Sequence, residues 1–191
     1  METKKLKLVS LNPEEYTDIE IECAVIDDMK TFTTQYILQQ GSRGIYPKSA
    51  RKTAQVTARV GEIGEEVDTR PRVGRDGKIY VIGETKGKVK VKGSMIVTNP
   101  DGEEYIVKPD AFAKKYKATD KEGVYEPVSS PIIYIITEYD IAFKAPWGED
   151  MFAVKGAALN VTDLDDVDAI QNEAFSKTYT EVVKNREQAD N

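Results

Sequence analysis

The sequence predicts a strand-dominated α+β fold: antiparallel sheets, a few short helices, and a C-terminal half built from a duplicated hairpin–helix unit. Three observations carry this reading. Apolar and polar residues alternate with period two in several stretches, the pattern of strands with one buried face. Turn sequences rich in Pro, Asp and Gly separate those stretches. A turn–strand–helix pattern also occurs twice, with its parts in the same order.

The elements follow in chain order. Between Asp18 and Asp27, Ile19, Ile21, Cys23 and Val25 point one way, while Asp18, Glu20 and Glu22 point the other. Met29 to Gln40 fits strand and helix alike. Gly61 to Gly77 is rich in Gly and charge and reads as a long loop or a ragged hairpin. Ile79 to Ile82 is an apolar strand. Val89 and Val91 then alternate with Lys86, Lys88, Lys90 and Lys92. On a strand those lysines line one face at intervals of roughly 6.6 Å. Met95–Val97 and Tyr105–Val107 flank Asn99-Pro100-Asp101-Gly102, which makes a hairpin. Pro109 suits the first position of a short helix running to Tyr116. Pro131 to Thr137 reads as a strand buried on both faces, and Asp168 to Tyr179 as a second short helix. Asp163, Asp165 and Asp166 would then lie near that helix's positive end.

The repeat joins Pro100-Asp101-Gly102-Glu103-Glu104 to Pro146-Trp147-Gly148-Glu149-Asp150. It also joins Ala111-Phe112-Ala113-Lys114-Lys115-Tyr116 to Ala174-Phe175-Ser176-Lys177-Thr178-Tyr179. The organisation expected is an N-terminal β-rich region over 1–84, a duplicated region over 85–185, and a tail over 186–191. The two copies fall at about 86–118 and 132–181. Ile96 to Tyr116, with its Gly-Glu-Glu-Tyr turn, Lys108-Pro109 and Ala-Phe-x-x-x-Tyr ending, resembles small phage and prophage proteins of the PGDYG type. The second copy resembles them loosely, with Lys155-Gly156 in place of Lys-Pro. The resemblance implies no activity. It implies a bacteriophage structural or accessory protein, located in the virion or otherwise in the host cytoplasm.

Charge and composition narrow the function classes. Lys and Arg number 27 against 33 Asp and Glu, a net charge of −6, which argues against specific nucleic-acid binding. The chain has no His, which removes Ser-His-Asp and Cys-His sites and most zinc sites. Its one Cys, Cys23, cannot form an internal disulfide and is expected to be buried and inert. The longest apolar run, Ile132 to Ile136, is too short to cross a bilayer, so no membrane partner is expected. Gly83-Glu84-Thr85-Lys86-Gly87-Lys88 falls short of a phosphate loop in glycine spacing and carries Val89 where Ser or Thr is required. Asp163-Leu164-Asp165-Asp166-Val167-Asp168 lacks the glycine and glutamate of a calcium loop and reads as solvated charge. Glu103, Glu104, Glu149 and Asp150, at the repeated turns, read as exposed turn residues in preference to catalytic carboxylates. No enzyme, metal or cofactor is expected.

What remains is interaction through protein partners, either other phage structural proteins or further copies of the chain. The candidates are Lys86, Lys88, Lys90 and Lys92, read first as a charged edge strand, together with Trp147 and the acidic row Asp18, Glu20 and Glu22. The acidic and basic rows have the same spacing. They are expected to face each other, between chains in preference to within one. A second reading has the lysines and Arg43, Arg51, Arg70, Arg72 and Arg75 gripping a small phosphorylated ligand.

Overall fold

A computed structural model describes residues 1–69, 71–82, 86–145 and 148–183. β1 (Thr3–Ser10) and β2 (Ile19–Val25) pair antiparallel, with Leu6 opposite Ile21 and Leu8 opposite Ile19. Their alternation buries Leu6, Leu8, Ile21 and Cys23 and exposes Lys5, Lys7, Glu20 and Glu22. The ambiguous stretch after β2 is a helix, α1 (Met29–Ser42). Asp28 caps it, accepting from the Thr31 backbone N–H at 3.0 Å and the Thr31 hydroxyl at 2.7 Å. Its buried residues are Thr33, Tyr36 and Gln40, so polarity alone does not reveal the helical period.

The next six strands are β3 (Lys48–Lys52), β4 (Val56–Val60), β5 (Glu66–Asp68), β6 (Pro71–Val73), β7 (Ile79–Ile82) and β8 (Lys86–Lys88). The segment Gly61 to Gly77 is therefore neither a plain loop nor one hairpin, since β5 pairs with β8 and β6 with β7. The lysine strand is also shorter than expected and ends at Lys88. Val89 is 1 % exposed and packs with Val67 and Ile96. Its N–H donates to the Glu65 carbonyl, and the Ser94 N–H donates to the Val91 carbonyl, closing a turn over 91–94, so Lys90 and Lys92 stand outside the β5–β8 ladder.

β9 (Met95–Thr98), β10 (Glu104–Val107), α2 (Pro109–Lys115), β11 (Tyr116–Ala118), β12 (Val124–Pro127) and β13 (Ile132–Ile136) come next. β13 is buried on both sides over only part of its length. At its centre Ile135 packs with Leu159 on one side and Tyr134 with Ala50 and Ala158 on the other, while Ile133 and Ile136 are 45 % and 41 % exposed. The chain ends with β14 (Ile141–Lys144), β15 (Asp150–Ala153), β16 (Ala158–Asn160), β17 (Asp168–Ile170), α3 (Asn172–Thr178) and β18 (Tyr179–Glu181). The helix expected from Asp168 thus starts later, because Asp168–Ile170 is consumed by antiparallel pairing with β16. Asp163, Asp165 and Asp166 do not cap it. The Asp163 carboxylate accepts from the Asp165 N–H, and Asp165 pairs with Lys30 of α1.

Three hairpins share one turn. In Gly74–Lys78, Asn99–Glu103 and Ala145–Glu149 the first N–H donates to the fifth carbonyl at 2.7, 2.9 and 2.8 Å. The glycine at the fourth position donates back to the first carbonyl at 3.0, 2.9 and 2.8 Å, with φ of 77°, 85° and 89° at Gly77, Gly102 and Gly148. Only glycine adopts that left-handed conformation without strain, which explains its recurrence at the same turn position.

Among the described residues the strands form sheets ordered β15-β14-β2-β1-β7-β6, β10-β9-β4-β12-β11 and β17-β16-β13-β3-β18, with β5-β8 alone. The strand ladders among the described residues are antiparallel except β2 with β14, and an isolated parallel bridge joins Thr69 to Glu104. Each large sheet takes strands from both sides of residue 85, so the sheets do not divide there.

Asp150 locks the β14–β15 hairpin onto β1. Its carboxylate accepts from Lys144 at 2.6 Å and Lys4 at 2.5 Å, which lowers its pKa to about 2. The folded pKa lies below the unfolded value, so this contribution is complete above the ordinary carboxyl range and disappears as pH falls through about 2. Urea unfolding between pH 4.5 and pH 2 is expected to show a steeper loss of stability for the parent than for Asp150→Asn. The exposed setting keeps the difference small.

Candidate functional site

A groove of about 650 Å³ lies beside α1, where β1, β2, α1 and the start of β14 meet. Parallel pairing fixes its base: the Ala24 N–H donates to the Asp140 carbonyl at 3.0 Å and the Ile26 N–H to the Ala142 carbonyl at 2.8 Å. Its walls are aromatic. Phe32 and Tyr36, one turn apart on α1, stack with centroids 6.1 Å apart, and Tyr139 meets Tyr36 edge to face at 5.8 Å. The Tyr36 hydroxyl donates to the Ile136 carbonyl at 2.8 Å and accepts from the Glu138 N–H at 3.1 Å. Burial raises its pKa above the ordinary phenol value. Tyr139 remains 45 % exposed.

The polar lining divides into engaged and open groups. One Asp140 oxygen accepts from the Lys155 N–H at 2.8 Å and the other is held by Arg75. Glu22 accepts from the Thr3 hydroxyl at 2.6 Å through one oxygen. Gln35 and Gln39 are exposed at the rim on adjacent turns of α1. None of these groove residues except Glu22 is conspicuous in the sequence. The Phe32–Tyr36 spacing signals a shared face only once Met29–Ser42 is known to be helical.

The two charged rows do not meet. Lys5 pairs with Glu20 at 3.1 Å and Lys7 with Asp18 at 3.5 Å, so the acidic row is answered by β1. β2 lies between β1 and β14, with β14 pairing only at Ala24 and Val25, beyond the acidic row. Lys86 and Lys88 stand opposite Asp68 and Glu66 in the two-stranded β5–β8 sheet. Lys90 and Lys92 lie beyond it on a loop, both exposed.

That loop is fastened to its neighbour. The Gly64 N–H donates to the Val89 carbonyl, the Val89 N–H to Glu65, and the Gly61 N–H to Ser94, at 2.8–2.9 Å. Together the two loops form a tip carrying Val60, Ile63 and Val91, which are 63 %, 65 % and 42 % exposed, beside Lys88, Lys90 and Lys92. Glu65 in the same tip is held by Arg59. Trp147, the other interaction candidate, lies outside the described residues.

The arginines are held in separate ion pairs: Arg43 with Glu138 at 3.0 Å, Arg72 with Glu103 at 3.5 Å, and Arg75 with Asp140. Arg51 is exposed on β3, and Arg70 lies outside the described residues. Inside the fold, Lys52 donates to the Tyr105 and Tyr116 hydroxyls at 3.0 and 2.9 Å and lies over both rings. Those hydroxyls bond each other, and burial pushes the Tyr105 phenol far up. Tyr179, opposite Lys52 across β3 and β18, is pushed up to about 12 by burial and by the Asp168 carboxylate. The Tyr105 and Tyr116 hydroxyls thus link β10 and β11 to Lys52 of β3, in a different sheet. Cys23 is fully buried, and burial raises its thiol pKa.

No protein-family model, curated protein or solved structure matches the chain.

Proposed function

We propose that this chain is a non-enzymatic bacteriophage structural or accessory protein, a component of the virion that works through contacts with other proteins. The observation that carries the reading is the tip formed by the 61–65 and 89–94 loops. Three exposed aliphatic side chains flanked by lysines make an amphipathic contact surface on a backbone held by hydrogen bonds. Burying such side chains contributes roughly 25 cal/mol per Å², and the lysines favour an acidic rim on the partner.

The C-terminal half is read as a duplicated hairpin–helix unit, in keeping with the resemblance to PGDYG-type phage proteins. Local geometry supports this. The β9–β10 and β14–β15 turns share their hydrogen bonds, and α2 and α3 each span seven residues. Each helix ends in an extended tyrosine whose N–H returns to a phenylalanine carbonyl, Tyr116 to Phe112 and Tyr179 to Phe175. Both Phe–Tyr pairs stack with centroids 5.2 Å apart.

Mass spectrometry of purified virions from the encoding phage tests the role. The chain is expected in the particle, and Ile63→Asp with Val91→Asp is expected to cut its incorporation at least about tenfold while leaving the melting temperature unchanged. Absence of the parent chain from particles overturns the proposal.

A further inference from the structure

We infer that the groove beside α1 receives an extended peptide segment of a partner protein, apolar in character and carrying one basic side chain. The inference rests on the proposed role in protein contacts and adds a second, separate site to the tip. Its first support is spacing. Gln35 and Gln39 are four residues apart on α1, about 6 Å along the helix. In an extended chain, residues n and n+2 direct their backbone N–H and C=O groups to the same side, about 6.6 Å apart. A carboxamide offers both a donor and an acceptor, so the pair can meet two alternate peptide units of such a segment. A peptide entering an apolar groove needs this, because each amide left without a partner opposes binding.

The second support is the character of the walls. Phe32 and Tyr139 supply ring surface for apolar side chains over the buried Tyr36, and the exposed face of Tyr139 suits a cation. The third is charge. The side chains lining the groove include Glu22 and Asp140 and no lysine or arginine. Asp140 is already matched by Arg75, whereas among the described residues Glu22 is bonded to the Thr3 hydroxyl and the Lys5 opposite it is paired with Glu20, so a guanidinium or ammonium group finds its counterion at Glu22. The N-terminal amine of Met1 at the rim is fully exposed and screened by water.

The experiment uses the immobilised full chain and three libraries of acetylated, amidated pentapeptides. Each library fixes Arg, citrulline or Glu at the centre and varies the other positions among Leu, Val, Phe and Tyr. Retained peptides are read by mass spectrometry. Peptides with Arg are expected to be retained at least about tenfold better than their citrulline counterparts, and Glu22→Gln is expected to erase that preference. Exchanging Gln35 and Gln39 together for Leu is expected to weaken the best peptide by about tenfold or more, from two lost hydrogen-bonding groups. A merely greasy groove would instead bind more tightly after that exchange. The inference is overturned if the double Leu variant binds as well or better, if citrulline equals Arg, or if no peptide is retained at millimolar concentration. Particle mass spectrometry reads the proposed role independently, so loss of one leaves the other standing.

Discussion

Tyr36→Ala is expected to destabilise the protein by about 3–5 kcal/mol, the range for removing a buried aromatic ring. Tyr36 is 3 % exposed and packs in the core formed by Ile135, Ile141, Phe143 and Leu159. Removing the ring empties space between α1 and β13–β14 that rigid strands fill only in part. For a chain of this length the loss corresponds to a fall in melting temperature of roughly 10 °C. Tyr36→Phe separates packing from hydrogen bonding. It retains the ring but leaves the Ile136 carbonyl and the Glu138 N–H without the phenol, at about 1–3 kcal/mol. Urea denaturation of both variants checks the pair. A Phe variant as stable as the parent would show that the hydroxyl adds nothing, and an Ala variant within 1 kcal/mol of the parent would contradict the packing argument.

Tyr36 also illustrates what sequence can and cannot reveal. Strands with one buried face announce themselves through alternation, as β1 and β2 do, whereas β7 is marked by its apolar run and the β9–β10 hairpin by its Asn99–Gly102 turn. α2 is legible because Pro109 fixes its start. α1 is not, since its buried face mixes Thr33 and Gln40 with Tyr36, and the groove it walls is hidden with it. The charged rows show a second limit. Spacing along each strand is visible, but a row's partner depends on which strands become neighbours. Lys5 and Lys7 reach Glu20 and Asp18 because a short connection brings β1 beside β2. Lys86 and Lys88 face β5 instead, through a pairing with no alternating signal. The sheets also gather strands distant in sequence, as when β3 joins β13 and β18, and composition carries no trace of that.

Breaking the Arg72–Glu103 pair from one side is the other large effect, about 3–5 kcal/mol for Arg72→Met. The two side chains are 8 % and 14 % exposed, 3.5 Å apart, and join β6 of the six-stranded sheet to the β9–β10 turn of a five-stranded one. The magnitude follows from what is left behind. Arg72→Met keeps much of the volume but strands the Glu103 carboxylate in a setting with little water, and desolvation of an unpaired charge outweighs the packing retained. The same logic predicts a smaller loss for the double variant, Arg72→Met with Glu103→Met, because neither charge then needs a counterion. A double-mutant cycle by urea unfolding checks this, with the double variant expected to be at least about 1 kcal/mol more stable than the sum of the single losses allows. Strict additivity would mean that the pair is not coupled and that each residue acts through its other neighbours. The measurement also bears on the fold's construction, since a coupled pair makes the β9–β10 turn answer to β6, a strand more than twenty residues earlier in the chain.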